Sequence, residues 1–213
     1  MDANDATPEI ARRFWRLFRP PHRPGRWLVE KLPHNAMRLG YLSSIAPNAR
    51  FIVIVRDARG VINSIVQKAS NPGTQILGKE EVNGWWWVAD LKWRGLQADA
   101  VKHGWLPEES LVTDDDSVRA ACEWIGTCES LHQTLSSVGD RAITVRYEDL
   151  ATRTDTVLVA IADHLHLDSP SDWLKQAQAL KRPPKANDDP ILPNVVKRRV
   201  NEWQERLGYL PIL

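Results

Sequence analysis

Two side chains suited to binding an anion follow the most apolar segment of the sequence. Phe51–Val55 is followed at once by Arg56, and Ser64 lies eight residues further along the chain. An arginine guanidinium suits a phosphate group, and a serine hydroxyl can donate a second hydrogen bond to the same oxygens. In open α/β sheets, ligands bind beyond the carboxyl ends of the strands, so this spacing predicts an anion site there. The alternative is a surface salt bridge for Arg56 and a purely helical role for Ser64.

Two further segments place polar residues after predicted strands. Trp27–Lys31 is predicted to be a short strand that ends on a lysine, and it leads into the segment Lys31–Asn35. Ala142–Val145 is a second short apolar strand, and it is followed by Tyr147–Leu150, which reads Y-E-D-L. Three polar segments therefore follow predicted strands in chain order, where the ligand crevice of an open α/β sheet lies.

The elements that must position these residues alternate between helix and strand. Phe51–Val55 is apolar on both faces, which predicts a central parallel strand covered by helices on both sides. Helical spacing of apolar residues predicts a helix capped by Asp57 and further helices over residues 8–19, 35–46, 80–103, 117–136, 153–166 and 170–180. Asn35 is the predicted cap of the second helix in chain order. The predicted class is α/β, with a small parallel sheet flanked by helices and joined by right-handed crossovers.

In order and spacing, these segments resemble the sulfotransferases that use 3′-phosphoadenosine-5′-phosphosulfate (PAPS), from about residue 27 to residue 167. Lys31, Pro33 and Asn35 match a K-x-P-x-N-like segment of that family. The resemblance implies a P-loop-NTPase-like sulfotransferase fold, in which Arg56 and Ser64 bind the 3′-phosphate of the nucleotide. It also implies that Lys31 approaches the sulfuryl group and its bridging oxygen, where a fixed cation lowers the barrier.

The ends of the chain fit the family less well. The resemblance implies one domain over residues 1–213, with an atypical segment at 1–26 and a basic, proline-rich tail at 182–213. In that tail, a basic run resembles the segment that covers the nucleotide in many members: Lys197, Arg198 and Arg199. The family's Gly-, Ser- and Thr-rich loop for the 5′-phosphosulfate has no counterpart in residues 1–26, which contain only one glycine. The domain is therefore expected to be incomplete at its N-terminus.

The catalytic base is left unassigned by the sequence. Cytosolic members of the family place a histidine two residues after the lysine, where this chain has Pro33. His34 and Glu30 are nearby substitutes, whereas other branches take a glutamate from the region that has no counterpart here.

The tryptophans bear on the acceptor. Trp85–Trp87 are consecutive, and neighbouring side chains on a helix point about 100° apart, so at least one should line a groove or an interface.

The expected function is transfer of a sulfuryl group from PAPS to a hydroxyl or amine of a small molecule, sugar or peptide, with activity impaired by the missing loop. Two alternatives stay open: a degenerate, non-catalytic nucleotide-binding or interaction module, and a P-loop kinase-like phosphotransferase. The latter needs a complete G-x-x-x-x-G-K-[S/T] motif, which is absent.

Composition limits the remaining classes of protein. The chain is 43% hydrophobic and 26% charged with a net charge of +1, which is typical of a globular domain. Both ends of the chain are basic and the middle is acidic, a distribution that suits a small anionic ligand. The chain has no long basic run of the kind that binds nucleic acid, so nucleic acid is not an expected partner. The apolar runs are too short to span a membrane, and the histidines have no metal-ligand spacing. The chain has only two cysteines and no signal peptide, which predicts a reducing, cytoplasmic location. A strand missing from the N-terminal side would leave a sheet edge exposed, which would favour homo-oligomers.

Overall fold

The computed structural model describes residues 5–17, 28–70, 84–167, 171–180 and 188–213. In these ranges the strands are β1 (Phe51–Val55) and β2 (Ala142–Arg146), and the α-helices are α1 (Pro8–Leu17), α2 (Leu39–Ile45), α3 (Ala58–Ala69), α4 (Leu91–His103), α5 (Asp116–Val138), α6 (Tyr147–Thr152), α7 (Thr154–Leu165), α8 (Ser171–Leu180) and α9 (Asn194–Arg206). Short 3₁₀ helices cover Pro33–Arg38, Val88–Asp90, Glu108–Leu111 and Gly139–Arg141. No helix within the described ranges is long and apolar enough to cross a membrane.

The sheet consists, in the described residues, of β1 and β2 paired in parallel along their whole length. The chain between them passes through α3, α4 and α5, the long crossover that parallel pairing requires. Both strands end at the same edge, where β1 continues into Arg56 and β2 into Tyr147. The predicted α/β class with a small parallel sheet is confirmed.

The main core lies between α3, α5 and α9. Every residue of α5 from Val118 to Gly126 is buried, because helices pack around this part of α5 on several sides. Ile62 and Ile65 of α3 and Val196 and Val200 of α9 contribute to the same core. Their spacing of three or four residues places each pair on one face of its helix. This packing fixes α3, which begins immediately after the carboxyl end of β1.

One face of β1 differs from the sequence prediction. Val53 is buried against Leu39 and Leu131, whereas Ile52 and Ile54 on the other face are 39% and 54% exposed. Among the described residues, α7 covers this second face only over the neighbouring strand β2, through contacts with Val145. The prediction that helices cover β1 on both faces is therefore wrong for the described part of the chain.

The segment before β1 also differs from prediction. Residues 28–32 form no strand and expose apolar side chains, with Val29 83% exposed, because no neighbouring strand pairs with them. Trp27 lies outside the described residues. The following helix begins as a 3₁₀ turn at Pro33, whose fixed φ suits a first helical position, and Leu32 takes the cap position. The predicted cap, Asn35, instead donates a side-chain hydrogen bond to Glu30.

Two more helical predictions need correction. The tryptophan run lies in a turn that precedes the short helix Val88–Asp90, and α4 begins only at Leu91. Trp87, Ala89 and Asp90 all have positive φ values, which an α-helix cannot contain. The tail, in contrast, contains α9, because Val196, Val200 and Trp203 recur at helical spacing between its charged residues.

Candidate functional site

A cleft of about 310 Å³ lies at the carboxyl end of β1. Its walls come from Arg56, from one side of α3, from the 3₁₀ helix Pro33–Arg38, from Trp85 and from α5. We call it the strand-end cleft. Arg56 and Ser64, the two residues with the predicted anion chemistry, both line it.

The close packing of Arg56 on α3 depends on a glycine. The guanidinium lies against Gly60 so closely that a Cβ atom there would sit 2.6 Å from Arg56 Nε. On its other side the guanidinium stands 4.5 Å from the ring centroid of Tyr147. In the part of the chain that the structure describes, neither this guanidinium nor the Ser64 hydroxyl has a hydrogen bond or an ion pair. A half-buried cation without an anionic partner is suited to binding an anion from solution.

A lysine that the sequence analysis missed lines the same cleft. Gly60, Ser64 and Lys68 are four residues apart on α3 and therefore lie along one face of the helix. Lys68 Nζ stands 4.8 Å from the ring centroid of Trp85, another residue of the cleft wall. The signal that could have found Lys68 is its four-residue spacing from Ser64, which the family motif does not include.

The far wall of the cleft is held by a buried ion pair. Lys92 Nζ lies 2.8 Å from Glu123 Oε2, and Trp85 Nε1 donates a 2.6 Å hydrogen bond to the same oxygen. Lys92 also stands 3.7 Å from the Trp85 ring centroid. Burial lowers the pKa of Lys92, and the adjacent Glu123 carboxylate opposes that shift. Cys128 lines the cleft as well, but burial raises its pKa to about 12, so its thiol stays protonated.

The Y-E-D-L segment holds the backbone at the edge of the sheet. The Glu148 carboxylate accepts a 3.3 Å hydrogen bond from the Asp57 N–H and a 2.7 Å hydrogen bond from the Tyr209 hydroxyl. Asp57 in turn caps α3, as predicted, by accepting a 2.8 Å bond from the Arg59 N–H. The residue between β1 and this cap is Arg56. The segment thus orders the turn that positions Arg56.

Lys31 does not join this cleft. It lies in the exposed irregular segment before Pro33, and the neighbouring wall is formed by Pro33 and Ala36 instead. The role that the family resemblance gives Lys31 requires a strand ending there, and residues 28–32 form none.

The basic run of the tail is also outside the strand-end cleft. Lys197 donates a 2.8 Å hydrogen bond to the carbonyl of Leu213, and Arg199 pairs with Glu129 and Glu202. Arg198 is exposed on α9. Their assignment to the nucleotide stays a prediction, and in this structure two of the three side chains bind other parts of the chain. The described residues include no group of three or more potential metal ligands.

Comparison with known proteins agrees with this geometry. A family model described as "Sulfotransferase family" matches residues 1–106, a range that includes Lys31, Arg56, Ser64 and Lys68. A search among curated proteins found no match. Among solved structures, the chain is similar to the "Sulfotransferase Domain from the Curacin Biosynthetic Pathway", with a TM-score of 0.54 and 21% sequence identity. The match covers 88% of this chain and 64% of that domain, so the chain spans just under two thirds of its length. Together with the predicted motifs and the α/β architecture, these matches show that the chain belongs to the sulfotransferase family.

Proposed function

We propose that this protein binds PAPS in the strand-end cleft and transfers its sulfuryl group to a hydroxyl or amine acceptor. The observation that carries the proposal is the position of Arg56, whose half-buried guanidinium has no anionic partner among the described residues and shares the cleft with Ser64. This pair would bind the 3′-phosphate through charge-assisted hydrogen bonds. Lys68, four residues beyond Ser64, would add a second positive charge near the nucleotide.

The reaction itself would depend mainly on positioning and charge. The acceptor oxygen or nitrogen attacks sulfur, the bond from sulfur to the bridging phosphate oxygen breaks, and the acceptor loses a proton. Adenosine 3′,5′-bisphosphate is the product that leaves. Cations placed near the leaving oxygens lower the barrier because negative charge accumulates there in the transition state.

A non-catalytic nucleotide-binding module is the second candidate, and the exposed position of Lys31 favours it. Such a module would keep the Arg56 site and lack a cation beside the sulfuryl group. The kinase-like alternative has less support. Gly73–Lys79 have the spacing of the glycines and lysine of a P-loop, but Glu80 stands where that motif requires the serine or threonine that binds Mg²⁺.

Calorimetric titration with adenosine 3′,5′-bisphosphate tests the assignment of the nucleotide site. Arg56→Ala should weaken binding by about 1.5–3 kcal/mol, roughly 10- to 150-fold in Kd, the usual contribution of a hydrogen bond to a charged group. Arg153→Ala removes an exposed arginine that pairs with Asp149 and does not line the cleft, and it should leave the affinity unchanged.

A second ligand separates the phosphate contact from a general loss of structure. Adenosine 5′-monophosphate lacks the 3′-phosphate, so wild type and Arg56→Ala should bind it equally. If the two proteins bound the bisphosphate with equal affinity, Arg56 would have no role in holding the nucleotide.

A further inference from the structure

Helix α1 carries three exposed arginines: Arg12, Arg13 and Arg16. In the ranges that the structure describes, none of them has a hydrogen bond or an ion pair. Arg16 lies three and four residues after the other two, so the three side chains are neighbours on the helix surface. Like charges at this spacing destabilise a helix, and a surface of opposite charge would remove that cost.

The packing of α1 shows that the arginines face solvent. Successive residues of a helix turn by about 100°, so the three arginines span an arc of about 100°. Ala11 and Phe14 lie on the opposite side of the helix and are half-buried. At the edge of that side, Trp15 Nε1 donates a 2.8 Å hydrogen bond to the carbonyl of Ile45 in α2. The helix therefore packs on α2 and turns its arginines outward.

An apolar side chain borders the arginines on each side. Ile10 is 38% exposed and Trp15 is 40% exposed, and the arc of the arginines lies between them. One acid, Glu9, lies within the arc, so the surface keeps a net positive charge. We call it the arginine face, and it consists of Arg12, Arg13 and Arg16 with Ile10 and Trp15 at its borders.

The chemistry of the arginine face favours a lipid bilayer over other anionic partners. A protein that binds a basic amphipathic helix usually holds its apolar side in a groove, and that side of α1 already packs on α2. The nucleotide is not the partner either, because no residue of the arginine face lines the strand-end cleft. An anionic bilayer presents a wide layer of negative charge, and tryptophan is enriched at its headgroup level. The ten residues of α1 are too few to cross a bilayer, so the helix would lie on its surface.

We propose that α1 is a membrane-surface contact whose arginine face binds the headgroups of an anionic lipid bilayer. The guanidinium groups bond to lipid phosphates, and Ile10 and Trp15 enter the boundary between headgroups and acyl chains. Each arginine near such a surface contributes about fivefold to the affinity, so the three together contribute about 100-fold. The contact weakens as salt is raised, because salt screens the attraction. This inference does not depend on the proposed sulfuryl transfer.

Cosedimentation of the full chain with vesicles tests the proposal. The wild-type protein should bind phosphatidylcholine vesicles that contain about 30 mol% phosphatidylserine about tenfold or more tightly than vesicles of phosphatidylcholine alone. Sodium chloride at about 0.5 M should release it from the anionic vesicles. Amide hydrogen exchange locates the contact, because the amides of α1 should exchange more slowly when the anionic vesicles are present.

Removal of the three charges tests the role of the arginines. Arg12→Gln/Arg13→Gln/Arg16→Gln keeps residues of similar helix propensity, and the replaced side chains have no partners in the described structure. Its affinity for the anionic vesicles should fall by about 100-fold, and the slowed exchange of α1 should disappear. Thermal unfolding of the variant confirms that it is folded.

A matched variant controls for net charge. Arg94→Gln/Lys102→Gln/Lys175→Gln removes the same total charge from exposed positions of α4 and α8 and should bind vesicles as the wild type does. An equal loss of binding in this variant would assign the effect to the net charge of the protein and would overturn the assignment to α1.

The other outcomes also decide the proposal. Equal binding of wild type to both kinds of vesicle, or unchanged binding of the folded α1 variant, would overturn it. Displacement from the vesicles by polyglutamate would indicate a general site for polyanions such as acidic proteins. Saturating adenosine 3′,5′-bisphosphate should leave vesicle binding unchanged, because the arginine face lies outside the strand-end cleft. Release by the nucleotide would mean that these arginines bind the nucleotide and not a bilayer.

Discussion

At the scale of single residues, Gly60 decides where the charge of Arg56 is held. The guanidinium occupies the space that a side chain at position 60 would fill, one helical turn before Ser64. Glycine lowers helix stability by about 0.5–1 kcal/mol relative to alanine. Glycine at position 60 is explained by this contact, because the absence of a side chain there lets Arg56 lie along α3.

Gly60→Ala should therefore separate affinity from stability. The new methyl group would meet the end of a flexible arginine side chain, which can move away at little energetic cost. We expect the free energy of unfolding to stay within about 1 kcal/mol of wild type, while binding of adenosine 3′,5′-bisphosphate weakens by about 1–3 kcal/mol as the guanidinium is displaced. Urea unfolding and calorimetric titration measure the two quantities.

The control for this prediction is Gly95→Ala. It makes the same substitution in α4, where the new Cβ meets nothing, and it should leave nucleotide binding unchanged. Nucleotide affinity retained in Gly60→Ala would mean that the guanidinium position seen here is not the one that binds phosphate.

The sequence predicted some of these residues and missed others for a physical reason. Arg56 and Ser64 lie within nine residues of each other, and the strand end and helix that position them are local features of the sequence. Lys92, Glu123 and His34 come together only through packing between distant segments, which no short motif encodes. The prediction for Lys31 depended on a strand that needs a pairing partner, and the described structure supplies none.

At the scale of elements, the C-terminal segment clamps the start of α3. The Gln204 amide donates to Asp57 and its oxygen accepts from the Ala58 N–H, so α9 contacts the first turn of α3 directly. Arg59 bonds to the carbonyls of Leu210 and Pro211 beyond α9. The sequence analysis treated this region as a basic tail, because its prolines and charges obscured the apolar spacing of α9. These contacts connect the last residues of the chain to the strand-end cleft.

Tyr209→Phe tests this connection. The Tyr209 hydroxyl donates to Glu148, which also receives the Asp57 N–H, and desolvation together with this bond raises the pKa of the tyrosine well above its usual value. Removing the hydroxyl should lower the free energy of unfolding by about 0.5–1.5 kcal/mol, the usual contribution of such a bond, in urea unfolding experiments. Because Glu148 orders the turn that carries Arg56, nucleotide affinity should fall as well.

A second tyrosine provides the control. Tyr41 is buried in α2, and no hydrogen bond from its hydroxyl is present within the described ranges, so Tyr41→Phe should change neither quantity. Equal effects of the two substitutions would show that the Tyr209 hydrogen bond does not support the site.

At the scale of the whole molecule, the groups proposed for binding and for transfer lie apart, because Arg56 and Ser64 line the strand-end cleft and Lys31 does not. The described sheet has two strands, and Ile52 and Ile54 of β1 remain exposed on one face. The chain matches 64% of the curacin-pathway sulfotransferase domain. The contacts proposed for the 3′-phosphate come from one local segment, whereas in-line transfer also requires groups that hold the 5′-phosphosulfate. Binding and turnover are therefore expected to separate in this protein.

The last prediction is that this chain alone binds the nucleotide but transfers sulfuryl groups slowly or not at all. Residues 1–26 contain no Gly-, Ser- and Thr-rich loop, and Lys31 lies outside the cleft. Loss of a single donor that stabilises transition-state charge typically slows an enzyme by about 10²–10³-fold, and loss of a loop that also positions the donor should slow it further. A transfer assay with radiolabelled PAPS and a panel of phenols, sugars and peptides measures this rate, beside calorimetric binding of adenosine 3′,5′-bisphosphate to the same sample. Rapid turnover would contradict the prediction and would mean that another segment holds the phosphosulfate. The arginine-rich residues 12–26 and the glycines and lysine of Gly73–Lys79 would then be the first positions to substitute.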